Sequence, residues 1–201
     1  MTPRKEDATN VPRLGVTGHR FLANEEILRV SVKEAIAAIA KYFSSKPMIV
    51  LSSLAEGSDR LVTTEVLSDP AARLIAVLPM AQPSYMTDFL SDASKQEFLE
   101  LLRRAVQVVE LPSKPERNAS YESAGEYIAR HSDVLVAIWD GRQELGRGGT
   151  GAIVSRARAL GLPIAWIHAG NRKPGSLEPT SLGGKQGVVT LEGFETKPEK
   201  H

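Results

Sequence analysis

The sequence of 201 residues contains no cysteine. Disulfide bonds, thiolate zinc sites, iron–sulfur clusters and a cysteine nucleophile are therefore excluded. No run of apolar residues approaches the roughly 18 that a membrane helix requires. The N-terminal segment MTPRKEDATN has no apolar centre, which argues against a signal peptide. We expect a cytoplasmic protein with no membrane partner.

The sequence also lacks an excess of either charge. Lys and Arg number 25 and Asp and Glu number 24, which leaves a formal net charge of +1. Such a balance gives no general attraction to a polyanion, so we expect no nucleic-acid partner. No pair among the four histidines has the spacing of metal ligands, so no bound metal is expected. The 42% of hydrophobic residues is typical of a globular domain.

Apolar runs that end in turn residues alternate with helix-forming segments along most of the chain. The runs predict six strands, at residues 13–18, 48–52, 73–78, 106–111, 134–139 and 163–168. The other segments predict five helices. Four are at residues 25–43, 58–67, 84–104 and 121–131, the third with a break near residues 91–94, and the fifth follows a glycine-rich turn after the fifth strand. Asn24 and Asp59 are the predicted caps of the first two helices.

This alternation predicts an α/β fold, a Rossmann-like doubly wound parallel sheet of about six strands with helices on both faces. Right-handed crossovers favour the strand order 3-2-1-4-5-6. Residues 1–12 are polar and form a predicted flexible arm, and residues 13–170 form the predicted domain. Residues 171–201 are a polar tail that either adds an edge strand near residues 187–191 or crosses the surface.

A glycine-rich turn, GRQELGRGGTG, follows the fifth predicted strand and precedes a helix-forming segment. Glycine lets the backbone approach a ligand closely. The start of the helix presents free N–H groups and the positive end of the helix dipole, which suit an anion. The turn therefore predicts a phosphate site at Gly148, Gly149 and Thr150. The alternative is an ordinary surface turn at a strand–helix junction.

Polar residues also follow other predicted strands at their carboxyl ends. Ligands of open α/β sheets bind at that edge, where the strand order reverses, here between strands one and four. We therefore expect these residues and the glycine-rich turn to surround one cleft. The further candidate ligand-binding residues are Gly18, His19 and Arg20 after strand one, Ser53, Glu56, Gly57 and Arg60 after strand two, Tyr121 after strand four, and Asp140 after strand five.

Most of these candidates also have a structural interpretation. Arg20 binds a phosphate or is a solvated surface arginine, and Arg60 contacts the ligand or pairs with nearby carboxylates. Tyr121 stacks on a base or packs on the core. Asp140 accepts a ribose hydroxyl or closes its own turn. His19 is predicted to be structural, with ligand contact as the alternative.

Four segments in this order resemble the SLOG superfamily, the Rossmann-like group named for the Smf/DprA and lonely-guy (LOG) proteins: VTGHR (16–20), LAEGSDRLV (54–62), YESAGEYIARHSDVLVAIWDG (121–141) and GRGGTGAIV (146–154). The similarity spans about residues 13–170. Family members bind nucleotides or nucleotide derivatives, some as enzymes and some as ligand sensors in bacterial stress and defence systems. The resemblance implies a nucleotide-type ligand with a phosphate or ribose near the glycine-rich turn. Relatives pair through helices, and the apolar helix faces permit a homodimer here.

The chain departs from the lonely-guy motif at its catalytic residue. Those enzymes resemble G-G-x-G-T-x-x-E, whose glutamate assists cleavage of an N-glycosidic bond, but Ala152 and Ser155 stand at the threonine and glutamate positions. Loss of a positioned base or nucleophile typically costs orders of magnitude in rate. We therefore expect a sensor-type nucleotide-binding protein rather than an enzyme. The alternatives are an N-glycosidase or phosphoribohydrolase that acts on nucleoside monophosphates through Glu56 or Glu122, and a scaffold with a vestigial pocket.

Overall fold

A computed structural model describes residues 11–44, 47–142 and 149–195. Within these residues seven strands form one sheet, and the first six are parallel to their neighbours while the seventh is antiparallel. The predicted α/β class, with a Rossmann-like parallel sheet, is therefore confirmed. The strands are β1 (Arg13–Gly18), β2 (Ile49–Ser52), β3 (Arg73–Leu78), β4 (Ala105–Glu110), β5 (Val134–Trp139), β6 (Ile164–His168) and β7 (Val189–Glu192).

Helices connect the parallel strands and bury their apolar stripes against the sheet. They are α1 (Glu25–Phe43), α2 (Ser58–Val66), α3 (Gln82–Met86), α4 (Asp92–Arg103), α5 (Arg117–Arg130) and α6 (Thr150–Ala159). The predicted break in the long third helical segment separates α3 from α4. No helix in the described ranges is both long and apolar enough to cross a bilayer.

The predicted strand order is wrong, because it put the fourth strand beside the first. The observed order is β4-β3-β2-β1-β5-β6-β7, so β4 lies at the edge beside β3 and β5 lies beside β1. All six residues of β5 are buried, which requires a central strand covered on both faces. In β4, three consecutive residues that include Gln107 are exposed, which suits an edge. The strand order therefore reverses between β1 and β5, not between strands one and four.

Asn24 occupies the predicted N-cap position of α1, but it does not cap the helix through its side chain. Asn24 has a left-handed backbone with φ of 56°, and its side chain makes no capping hydrogen bond. Its carbonyl oxygen instead accepts from the N–H of Leu28 at 3.2 Å. Glu25 and Glu26 lie in the first turn, where negative charge stabilises the positive end of the helix dipole.

Residues 169–187 connect β6 to β7 and are held by hydrogen bonds to the rest of the molecule. Gln186 is buried, and the backbone of this segment turns through a short 3-10 helix, Gly183–Lys185. The following strand β7 pairs with β6 and closes that edge of the sheet. Of the two alternatives for the polar tail, the edge strand is the one observed, and the segment before it reaches the candidate site described next.

Candidate functional site

A cleft of about 460 Å³ opens at the carboxyl edge of the sheet, beside the ends of β1 and β5. This is the edge at which the strand order reverses, the usual ligand position in open α/β sheets. The walls come from the end of β1 and its loop, the loops after β2, β3 and β6, the chain after α3, and residues of α2, α3, α5 and α6. The polar and charged lining residues are Thr17, His19, Arg20, Ser53, Asp59, Tyr85, Asn118, Tyr121, Thr150, Asn171 and Arg172.

The cleft brings together seven of the twelve predicted ligand-binding residues: Gly18, His19, Arg20, Ser53, Tyr121, Gly149 and Thr150. Gly148 lies outside the described residues. Glu56, Gly57, Arg60 and Asp140 are not part of the cleft lining, and neither is Glu122, the other candidate carboxylate. The loops after the strands therefore do converge on one edge of the sheet. Several polar residues of these loops contact other protein groups instead of lining the cleft.

Two predicted glycines allow the loops after β1 and β2 to pack against each other. A Cβ on Gly18 would lie 2.6 Å from the carbonyl oxygen of Ile138. Gly57 has φ of 79°, and a Cβ there would lie 2.4 Å from the carbonyl oxygen of Arg20. The hydroxyl of Ser58 donates to the carbonyl oxygen of His19 at 2.8 Å. Gly57 thus serves loop packing, whereas Gly18 serves loop packing and also borders the cleft.

His19 and Asp140 join the ends of β1 and β5. The backbone N–H of Asp140 lies 3.1 Å from Nε2 of His19, and Oδ1 of Asp140 lies 3.4 Å from the same nitrogen. The carboxylate Oδ1 of Asp140 accepts from the N–H of Arg142 at 3.0 Å, which closes the turn after β5. These contacts match the structural interpretations of both residues.

Arg20 and Glu56 form an ion pair at the margin of the cleft. Arg20 also donates to the carbonyl oxygen of Asp88 at 2.9 Å, and Glu56 accepts from the N–H of Leu90 at 3.0 Å and from the hydroxyl of Ser94. Burial is the largest single influence on the pKa of Glu56 and raises it. The hydrogen bonds from Ser94, Leu90 and Arg20 outweigh burial, and the pKa lies below its ordinary value. Glu56 is thus an ionised anchor for the chain between α3 and α4.

Arg60 is buried beneath the loop after β2 and contacts protein groups on several sides. Its Nε donates to the carbonyl oxygen of Leu54 at 3.0 Å, and its Nη1 donates to Glu97 at 2.7 Å. The guanidinium carbon lies 4.8 Å from the centre of the Phe89 ring. Arg60 therefore pairs with a carboxylate, as one of its two interpretations expects. The partner is Glu97, not the nearer residues in sequence, Asp59 or Glu56.

Asp59 is the one carboxylate among the described residues that line the cleft. It lies in the first turn of α2, and the N-cap position belongs to Gly57, so the predicted capping role is wrong. Its carboxylate accepts from the N–H of Ala55 at 3.3 Å and so anchors the loop in which Leu54 has a φ of 59°. Burial raises the pKa of Asp59 to about 6, against the opposing effects of hydrogen bonds from the loop and the charge of Arg60.

Tyr121 lines the cleft and is also hydrogen-bonded to Asp88, which follows α3. Its hydroxyl donates to the carboxylate of Asp88, which also accepts from Nε of Arg117 at 2.8 Å. Burial and the hydrogen bond to Asp88 raise the pKa of Tyr121. Tyr121 therefore packs against the core, as its structural interpretation expects, and also lines the cleft, while stacking on a base stays a prediction.

Gly149 is the N-cap of α6, and Thr150 is buried at the first position of the helix. The first turn of α6 contains no acidic residue, so no side chain of that turn neutralises the positive end of its dipole. Nearby, a Cβ on Gly125 of α5 would lie 2.5 Å from Cδ1 of Ile153, which shows how closely α5 and α6 approach.

Sequence reasoning missed many residues of the cleft wall, among them Phe21, Asn171 and Arg172. Asn171 and Arg172 follow β6, so the rule that selected residues at the carboxyl ends of the other strands also applied to them. Phe21 had no such signal, because an isolated aromatic residue in a loop forms no pattern. Among the described residues, no group of three or more His, Asp or Glu side chains is arranged to hold a metal ion.

No protein-family model matches the chain, and no curated protein matches its sequence. Solved structures do match. The DNA processing protein A from Helicobacter pylori, studied for its mode of binding single-stranded DNA, has a TM-score of 0.50 at 15% identity, over 87% of this chain and 74% of that chain. The fold is Rossmann-like. A molybdenum cofactor binding protein from the phototrophic bacterium Rippkaea orientalis has a TM-score of 0.45 at 15% identity, over 80% of this chain and 78% of that chain.

The expectation that this chain has no nucleic-acid partner is wrong, because net charge does not decide whether a nucleic acid is a partner. It depended on a net charge of +1, but the DNA processing protein A has this fold and binds single-stranded DNA. Net charge sums over the whole surface and says nothing about the charge of one face. Near-neutrality is therefore no reason to exclude a polyanionic ligand.

Proposed function

We propose that this chain binds a nucleotide or nucleotide derivative in the cleft, as a sensor-type protein of the SLOG superfamily. A phosphate lies at Gly149 and Thr150, where α6 presents its N-terminal N–H groups. The observation that carries the proposal is the convergence of this helix start with Arg20, Ser53 and Tyr121 around a single cleft. A concave site with a few convergent polar groups is the usual form of a small-molecule site.

The electrostatics of the cleft support an anionic ligand. Arg20 and Arg172 are the positively charged lining residues in the described part of the chain, and Asp59 is the negatively charged one. The start of α6 adds the partial positive charge of its dipole without an acidic residue in the first turn. A ligand that carries a phosphate therefore meets more positive than negative charge.

The positions of the carboxylates favour binding over catalysis. Glu56 is engaged by Arg20, Ser94 and the N–H of Leu90, and Glu122 lies outside the cleft lining. Ser155 stands where the lonely-guy motif has its glutamate. Neither Glu56 nor Glu122 is therefore among the residues that line the cleft.

One observation favours a second candidate, hydrolysis of the N-glycosidic bond of a nucleoside monophosphate. Asp59 is a buried carboxyl group in the cleft wall with a pKa of about 6, a value suited to a general acid near neutral pH. We assign it first to holding its loop, because it accepts the N–H of Ala55. Release of free base from any of the four common monophosphates, abolished by Asp59→Asn, would support the enzyme.

Thermal unfolding with a panel of ligands tests the binding proposal. The panel contains nucleoside mono-, di- and triphosphates, cyclic dinucleotides, ADP-ribose and ribose 5-phosphate. A ligand present at about 100 times its dissociation constant adds about 2.7 kcal/mol to the free energy of unfolding, which gives a clear rise in melting temperature. The proposal expects a rise with at least one member and its loss in Gly149→Val, because that side chain occupies the space of the phosphate.

The matched control is Gly184→Val, since Gly184 lies outside the cleft and a Cβ there meets nothing within 4 Å. A short single-stranded oligonucleotide belongs in the same panel, because a protein of this fold binds single-stranded DNA. Tighter binding of the oligonucleotide than of every mononucleotide would make a nucleic acid the ligand. No stabilisation by any member would contradict the proposal.

A further inference from the structure

The segment after β6 is a built wall of the cleft. Arg172 pairs with Pro179 in an antiparallel bridge, and the N–H of Lys173 donates to the carbonyl oxygen of Glu178 at 2.9 Å. The hydroxyl of Thr180 donates to the carbonyl oxygen of Asn171 at 2.7 Å. These bonds fold residues 171–180 back on themselves, so the direction in which Arg172 leaves the backbone is defined.

Gln186 joins this segment to the loop after β1. Its Oε1 accepts from the N–H of Gly170 and from the N–H of Leu182, both at 3.0 Å. Its Nε2 donates to the carbonyl oxygen of Ala23 at 2.8 Å. Ala23 is two residues after Phe21, so a single buried side chain sets the position of the β6 segment against the loop that carries Phe21.

The result is a pair of flat groups at the cleft. The guanidinium carbon of Arg172 lies 5.2 Å from the centre of the Phe21 ring, and both residues line the cleft. A guanidinium on an aromatic face is a favourable arrangement, and both groups are planar. Proteins use aromatic rings and guanidinium planes to stack on nucleobases. We call Phe21 and Arg172 the stacking pair.

We propose that the stacking pair is the subsite for the nucleobase, so that the ligand is a nucleoside phosphate and not a sugar phosphate or a free inorganic anion. This inference rests on the proposed function, which puts the phosphate at Gly149 and Thr150. The base contacts the stacking pair at the wall formed by the loops after β1 and β6. The residues that determine specificity therefore lie largely outside the segments that resemble a known family.

Titration calorimetry with ribose 5-phosphate and with AMP, GMP, CMP and UMP tests the subsite. Stacking on one aromatic group typically changes affinity by about fivefold to 150-fold. The wild-type protein is expected to bind at least one monophosphate ~10-fold or more tightly than ribose 5-phosphate. Phe21→Leu and Arg172→Lys are expected to remove most of this preference and to leave the affinity for ribose 5-phosphate unchanged. Phe21→Trp, which keeps an aromatic face, is expected to retain the preference.

The chain offers matched controls for both substitutions. Arg158 also lies over a ring, with its guanidinium carbon 5.9 Å from the centre of Trp139, but it is not a lining residue of the cleft. Phe194 contacts the ring of Tyr42 at 4.9 Å between centres and likewise lies outside the cleft lining. Arg158→Lys and Phe194→Leu are expected to keep the wild-type preference. Melting temperatures of all variants establish that they are folded.

The outcomes separate the two proposals. Equal affinities for ribose 5-phosphate and every monophosphate would overturn the stacking subsite and leave the phosphate site standing. A monophosphate preference that survives Phe21→Leu and Arg172→Lys would also overturn the subsite. If Arg172→Gln weakens ribose 5-phosphate as much as the monophosphates while Arg172→Lys weakens neither, Arg172 is an anion contact and stacking is overturned. If none of these five probes binds, the inference fails, and the wider ligand panel decides the proposed function separately.

Discussion

Arg20 and Glu56 form an ion pair that joins the loop after β1 to the loop after β2. Glu56 also accepts hydrogen bonds from the N–H of Leu90 and the hydroxyl of Ser94, so one carboxylate connects both loops to the chain between α3 and α4. A phosphate that recruits Arg20 must compete with this carboxylate. The ion pair therefore couples the margin of the cleft to the segment that carries Phe89.

Glu56→Gln is expected to lower the free energy of unfolding by about 1 to 3 kcal/mol at neutral pH, because Arg20, Leu90 and Ser94 lose a charged acceptor. Since the pKa of Glu56 lies below its ordinary value of 4.5, this stabilisation is present above about pH 4.5 and is lost as the pH falls through the folded pKa. Urea unfolding at about pH 7 and at about pH 3.5 to 4 measures both effects.

Glu100→Gln is the matched control for this measurement, because Glu100 is an exposed residue of α4, the helix that also contains Ser94. Its stability is expected to stay within about 0.5 kcal/mol of the wild-type value. An equally small change in Glu56→Gln would contradict the anchoring role of Glu56.

Asp59→Asn is expected to change the pH dependence of stability. The pKa of Asp59 is about 6 in the folded protein and 3.8 is its ordinary value, so the folded state binds the proton more tightly than the unfolded state. The wild-type free energy of unfolding therefore carries a contribution that falls as the pH rises from about 4 to about 6. In Asp59→Asn this contribution is absent.

Urea unfolding of both proteins across this range measures the difference. The wild-type stability minus that of the variant is expected to decrease with rising pH by an amount on the order of 1 to 3 kcal/mol. Other titrating groups are common to both proteins and cancel in the difference. A difference that does not vary with pH would show that burial does not raise the pKa of this carboxyl group.

Gly57→Ala is expected to destabilise the protein by roughly 2 to 5 kcal/mol, from backbone strain and overpacking together. The φ of 79° is unfavourable for alanine, and the added Cβ would lie 2.4 Å from the carbonyl oxygen of Arg20. The matched control is Gly175→Ala, because Gly175 has φ of 73° and a Cβ there meets nothing within 4 Å.

The control is expected to cost only about 1 to 2 kcal/mol, which is the strain of the left-handed backbone alone. Denaturant unfolding of the two variants gives the comparison. Equal losses in both would mean that the loops after β1 and β2 can separate freely, and the close approach at Gly57 would not matter to the fold.

The elements of the fold could be predicted from local patterns, and the order of the strands could not. The apolar run of β5 and the helical spacing in α1 each report directly whether a segment is buried. Strand order depends on which side of the sheet each crossover returns to, and a local pattern does not record that. The exposed Gln107 in β4 was the available sign of an edge strand.

Part of the cleft could be predicted because residues after parallel strands meet at one edge, and this rule found Arg20, Ser53 and Thr150. It could not tell a ligand contact from an internal pair. Arg60 bonds to Glu97, which is 37 residues away in sequence, and no local pattern connects the two. The rule also applied to Arg172 after β6, but the position of its segment depends on the buried Gln186, which no local pattern indicates.

The amide signals of Gly149, Thr150 and Gly151 offer the most direct test of the proposed phosphate site. Two-dimensional NMR spectra of the 15N-labelled protein, recorded during titration with the four nucleoside monophosphates, follow these N–H groups individually. The account predicts that at least one monophosphate produces saturable shifts that are largest at the start of α6 and at residues 19–21. Saturable shifts confined to residues outside the cleft, or no shifts with any of the four, would contradict it.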